Sequence, residues 1–123
     1  MPSILALGVD PKFADFTRLP GLTPELIRAF IDAQLARLRE TGYEVESCLV
    51  DLGDTAEAVV LGCLNGRRFD CVMIGAGLRD TSNLLLFERL LNLIHTSAPA
   101  AKICFNTTPA DSLEAVQRWL PVS

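Results

Sequence analysis

Four short apolar runs, each followed by a stretch with helical spacing, constrain this chain more than any other feature. Ile4 to Val9 is continuously apolar, as are Cys71 to Ile74 and Ile103 to Phe105. A strand needs such a run when both of its faces are buried, which is the situation in a parallel sheet covered by helices. The stretch from Glu44 to Leu52 is different. Val45, Ser47, Leu49 and Asp51 alternate there with Glu46, Cys48, Val50 and Leu52, so its first half reads as a half-exposed edge strand.

The intervening segments carry helix start and stop signals. Thr23-Pro24-Glu25 supplies a cap, a proline at the first helical position and an early acid. Ile27, Phe30, Ile31, Leu35 and Leu38 then fall on one face, with Arg28, Asp32 and Arg39 opposite, and Gly42 closes the helix. Asp54-x-x-Glu57 has capping-box spacing before Ala56, Val59, Val60 and Cys63, and Asn65-Gly66 ends that helix. The third helix is expected from about Ser82 to Thr96. Leu84, Leu86, Phe87, Leu90, Leu91, Leu93 and Ile94 give it an apolar arc wider than the roughly 100° that one sheet face requires. Thr108-Pro109-Ala110-Asp111 opens the last helix, with Leu113, Val116 and Leu120 inward and Trp119 beside them.

Strict strand–helix alternation predicts a three-layer α/β/α domain with a four-stranded parallel sheet. Strands one, three and four read as buried by their apolar runs and strand two as peripheral, and the order 2-1-3-4 accommodates both. At 123 residues the chain is expected to be a single domain spanning 1–123.

Charge and cysteine usage exclude several functions. Eleven basic residues stand against fifteen acidic, for a net charge of −4, and the densest basic point is Arg67-Arg68. No concentrated positive footprint is present, so neither nucleic acid nor an anionic membrane is an expected partner. Cys48, Cys63, Cys71 and Cys104 contain no C-x-x-C spacing and His95 is the single histidine, so no metal site is expected. The cysteines read as reduced core thiols of a cytoplasmic protein. Met1-Pro2-Ser3 lacks the basic start of a secretory signal, and no apolar run approaches the ~18 residues of a membrane span.

In an open parallel sheet, ligands bind beyond the carboxyl ends of the strands where the strand order reverses. For the order 2-1-3-4 that is the crevice between strands one and three. The residues expected on its rim are Asp10 and Lys12 after strand one, Gly75, Gly77 and Arg79 after strand three, and Asn106 and Thr107 after strand four. Asp51 and Asp54 follow strand two. Gly75-Ala76-Gly77 begins like a dinucleotide fingerprint, but Asp80 holds the last glycine position, and a tight turn is the plainer reading. Arg79 and Lys12 are placed to hold a carboxylate or phosphate; alternatively, Arg79 pairs with Asp10 or Asp80 at the surface. Asp10 is a candidate base or simply a turn former before Pro11. The loop from Asp10 to Gly21 also holds Phe13, Phe16 and Arg18. His95 belongs to the opposite rim, so no catalytic triad can form around it.

The architecture resembles flavodoxin-like and receiver-type folds, without their site residues. Only Asp10 matches a receiver's acid pair, and Asp10-Pro11-Lys12-Phe13 stands where a flavodoxin has its Ser/Thr-rich phosphate loop. Asp70 to Gly77 is similar to the third block of SGNH-type hydrolases, but no Gly-Asp-Ser block precedes it. Over nearly its whole length the chain resembles small, uncharacterised Rossmann-like proteins, on Val72 to Arg79 and Lys102 to Thr107. That resemblance implies a fold and no activity.

Two functional expectations follow. One is a domain, a binder or an enzyme, that takes a small anionic ligand on the rim, with no cofactor assigned. The other is a non-catalytic module for self-association or protein interaction. Strand four is an edge in this order and Lys102 is its only guarding charge, so a homodimer through the third helix and fourth strand is expected. The alternative is that Trp119 and the last helix cover that edge within one chain.

Overall fold

The structure, a computed structural model, describes residues 2–13 and 21–121. Phe16 and Arg18 of the first loop lie outside the described residues. Four parallel strands form one sheet: β1 (Ser3–Val9), β2 (Glu44–Val50), β3 (Cys71–Ile74) and β4 (Lys102–Phe105), in the order β2-β1-β3-β4. The helices are α1 (Pro24–Thr41), α2 (Ala56–Leu64), α3 (Leu84–Ser97) and α4 (Ser112–Trp119). No helix among the described residues is long and apolar enough to cross a membrane.

The chain steps one way from β1 to β2 and the other way from β2 through β3 to β4. With one hand of crossover, that reversal puts α1 on one face and both α2 and α3 on the other. Two cores result. Leu5, Leu7, Cys48, Val50, Val72 and Ile74 face α2 and α3, where they meet Val60, Leu64, Leu86, Leu90 and Ile94. Ile4, Ala6, Cys71, Met73 and Cys104 point the other way, onto Leu35, Leu38, Ala115 and Val116 of α1 and α4. Strict alternation along β1 divides its side chains between the two layers, which is why that run is apolar throughout. All four residues of β3 are buried, whereas β2 is exposed or half-buried until Cys48.

Several local signals act as their chemistry dictates. Thr23 Oγ1 accepts from Leu26 N–H at 3.2 Å, and Gly42 closes α1 at φ 117°, where a side chain would be strained. Thr108 and Asp111 form a reciprocal capping box before α4. The start of α2 departs from expectation. Asp51, not Asp54, organises that turn, accepting from Gly53 N–H at 3.2 Å and from Thr55 Oγ1 at 2.8 Å. The third helix also begins later than expected. Asp80 caps a 3-10 turn over Thr81–Asn83 by accepting from Ser82 N–H, and α3 proper starts at Leu84.

Candidate functional site

A cavity of about 200 Å³ lies on the α1 side of the sheet, at the carboxyl ends of β1 and β3. Its floor is Ala6, Gly8 and Met73, and one wall is the inward face of α1 through Ile27, Ile31 and Gln34. Gly75, Ala76 and Gly77 border it beyond β3, and Asn106, Pro109 and Ser112 border it beyond β4. Most of this surface is hydrocarbon, and none of the described lining residues is charged.

The loop after β3 is drawn against β1. Gly75 N–H donates to Leu7 O at 2.9 Å, one step beyond the regular ladder. Neither Gly75 nor Gly77 has a positive φ, so glycine is needed here for closeness. A Cβ on Gly77 would stand 3.2 Å from Val9 Cγ2, tighter than side chains normally pack. Leu78 is fully buried in the α2–α3 core and pins the loop from the other side. The turn closes through Leu78 N–H to Gly75 O and Arg79 N–H to Ala76 O. The N–H groups of Ala76 and Gly77 have no hydrogen-bond partner among the described residues.

The rim residues expected from the sequence divide into two groups. Gly75, Gly77 and Asn106 line the cavity; Asp10, Lys12, Arg79 and Thr107 do not. Asp10 forms a local turn, its Oδ1 accepting from Lys12 N–H at 3.1 Å. The Lys12 ammonium lies 5.2 Å from the Phe13 ring centre. Thr107 donates both its N–H (2.8 Å) and its hydroxyl (2.7 Å) to the Asp111 carboxylate. Burial pushes Asp111 up, but these donors and Thr108 N–H outweigh it and hold the carboxyl below its ordinary value.

Arg79 takes neither of the surface partners considered for it, and it makes no ion pair among the described residues. Its Nε donates to Ile74 O at 3.1 Å, and its Nη2 donates to Asn106 O and, at 3.2 Å, to Asn106 Oδ1. The guanidinium also lies 5.0 Å from the centre of the Phe105 ring. Burial lowers its pKa, with Asp111 opposing that shift, although an arginine stays charged throughout the working range. Asn106 is buried, and its amide donates onward to Ser112 Oγ at 3.2 Å. Arg79 and Asn106 thus stitch the ends of β3 and β4 to the start of α4.

Gln34, Ser47 and Ser112 are polar residues of the cavity that sequence reasoning did not single out, and Gln34 is the one with a buried atom left without a partner among the described residues. Gln34 lies on the inward stripe of α1, and its side-chain Oε1 is buried with no hydrogen-bond partner among the described residues. The signal was available. A polar residue at the position between Ile31 and Leu38 breaks a stripe that is otherwise apolar. Phe30, assigned to that stripe, is 43% exposed because it sits at its margin.

Among the described residues, no group of three or more His, Cys, Asp or Glu could hold a metal ion. No protein-family model matches the chain, and no curated protein matches it significantly.

Proposed function

We propose that this domain binds a compact, mostly apolar small molecule with one polar end, in the cavity between α1 and the carboxyl ends of β1 and β3. The observation that carries the reading is the buried, unpartnered Gln34 Oε1 in an otherwise apolar wall. A buried carbonyl without a donor costs roughly 1–3 kcal/mol, and a ligand N–H or O–H would recover that cost. The N–H groups of Ala76 and Gly77 offer the complementary donors for a ligand oxygen. At about 200 Å³ the space is close to the roughly 150 Å³ apolar cavity that takes benzene, and below the range of drug-sized pockets.

The lining favours a neutral amide or alcohol over the anion expected from the sequence, because the two cations of the rim are directed elsewhere. It also favours binding over catalysis. No titratable side chain lines the cavity among the described residues, and Ser112 Oγ is held by Pro109 O at 2.7 Å. Four free thiols support a reducing, cytoplasmic setting. The test is ligand-observed NMR and thermal shift with benzamide, benzyl alcohol, benzoate and inorganic phosphate. Binding of benzamide or benzyl alcohol that is lost in Gln34→Leu supports the reading. Binding of phosphate alone, or binding indifferent to Gln34→Leu, overturns it.

A second reading is self-association through α3 and β4 with a second copy of this chain. Leu84 and Leu85 are 57% and 69% exposed, and Phe105 on the β4 edge is 39% exposed. Leu84 lies one turn before Phe87, whose ring meets Phe105 edge-on at 5.7 Å, so these side chains form a continuous apolar strip along the sheet edge. The last helix leaves that strip open. Trp119 is 53% exposed, and Arg118 guards only the terminal carbonyl of β4, donating to Phe105 O at 2.8 Å. A two-fold dimer would pair the β4 edges and cover the strip. Light scattering at high micromolar concentration should give twice 13.4 kDa, and Leu84→Glu should halve it. A wild-type monomer under those conditions overturns this reading.

A further inference from the structure

All four cysteines of the chain stand in two pairs, one on each face of the sheet. Cys63 Sγ lies 3.0 Å from Cys48 Sγ on the α2 side, and Cys71 Sγ lies 3.5 Å from Cys104 Sγ on the α4 side. The two pairs differ in access. Cys71 and Cys104 are both buried between the strands and α4, whereas Cys63 is half-buried on α2 and reaches solvent. Cys48, 2% exposed, projects from the edge strand β2 directly beneath it. A disulfide has its sulfurs about 2.05 Å apart, so roughly 1 Å of approach separates this pair from a bond.

We propose that Cys48 and Cys63 are a reversible disulfide site, closed by exchange with a low-molecular-weight disulfide such as oxidised glutathione. Cys63 is the entry thiol. It gives its proton to solvent and attacks one sulfur of glutathione disulfide, forming a mixed disulfide and expelling the first glutathione thiolate, which takes up a proton. Cys48 then loses its proton and attacks the Cys63 sulfur, closing the internal bond and expelling the second glutathione. Two protein thiols are oxidised and one external disulfide is reduced to two thiols, so the exchange balances. Burial, reinforced by the adjacent Cys63 thiol, pushes Cys48 up, so Cys48 stays protonated and leaves entry to Cys63; its own turn comes in the second step because the target sulfur is already in contact. The closed bond fastens the edge strand to α2 across the turn at Gly53 and restricts the unfolded chain.

The full chain is incubated natively with excess oxidised glutathione, quenched with acid, and alkylated with N-ethylmaleimide under denaturing conditions. Intact mass and peptide mapping should show loss of two hydrogens, two alkylated thiols and a Cys48–Cys63 link that dithiothreitol reverses. The oxidised chain should melt on the order of 10 °C above the reduced one. Cys48→Ser, whose fold is checked by circular dichroism, should stop at the first step and retain one glutathione on Cys63. Four alkylatable thiols in the wild type, a persistent glutathione adduct there, or a bond mapped to Cys71–Cys104 or between chains each overturns the proposal.

Discussion

Gln34 and Arg79 are the two residues whose surroundings say most about the candidate site, and they pull in opposite directions. Gln34 contributes an unsatisfied carbonyl to a hydrocarbon wall, so replacing it with the similarly sized Leu removes a penalty without removing a bond known from that oxygen. Gln34→Leu should therefore stabilise the ligand-free domain by about 1 kcal/mol, read as a higher urea midpoint with an unchanged slope. Destabilisation would mean that the amide is already paired and that the cavity asks for nothing. Arg79 is the reverse case, with three acceptors for one guanidinium, one at the end of β3 and two on the residue after β4. Arg79→Ala should cost about 2 kcal/mol, because hydrogen bonds from a charged donor are the stronger kind. Arg79→Lys should recover little of it, since a single ammonium cannot reproduce the planar fork that spans Ile74 and Asn106. Full recovery by lysine in denaturant melts would show that only the charge matters.

At the level of elements, the turn between β2 and α2 separates two carboxylates that the sequence presents as near equals. Asp51 holds Gly53 N–H and Thr55 Oγ1, whereas Asp54 stands at the capping-box spacing without making that cap. Asp51→Ala should lower the midpoint of chemical denaturation, and Asp54→Ala should leave it nearly unchanged. Equal losses would contradict the geometry. The contrast marks what was legible beforehand. Strand order, edge position and the caps at Thr23, Gly42 and Thr108 follow from patterns spanning a few residues, and those patterns were readable. The location of the cavity was readable too, because it follows from where the strand order reverses. The partners of individual rim side chains were not. Arg79 finds Asn106 only because the β3–β4 register sets Ile74 beside Phe105, and Cys48 finds Cys63 only once α2 lies over β2. Such contacts depend on register and helix placement, which a local pattern does not carry.

For the molecule as a whole, the shifted groups fall on both sides of neutrality and bound a pH window for stability. On the acid side, Asp51 is held low by the Thr55 hydroxyl and Gly53 N–H, and Asp111 by its cap donors against the pull of burial. A carboxyl with a lowered folded pKa contributes stability that is present above its unfolded value, about 4, and lost as pH falls through the folded value. On the alkaline side, burial raises Tyr43 and Cys48, with Cys71 adding to the first and Cys63 to the second, and Cys71 is itself raised by its contact with Cys104 and by burial. For a group raised on folding, the contribution is complete below the unfolded value and lost as pH climbs toward the folded one. The loss should thus begin near pH 8.5 for the thiols and near pH 10 for the phenol. The urea midpoint should be flat between about pH 5 and 8 and fall on both sides. Asp111→Asn should flatten the acid limb while lowering the plateau. Tyr43→Phe should lose about 1 kcal/mol at neutral pH, because the hydroxyl donates to Leu120 O at 2.5 Å and anchors the end of α4, yet it should flatten the limb above pH 10. Cys48→Ala should make the fall above about pH 8.5 shallower without abolishing it, because Cys71 is also raised on folding. If that slope is unchanged in Cys48→Ala measured under reducing conditions, the buried thiol on β2 does not contribute to the loss of stability in base.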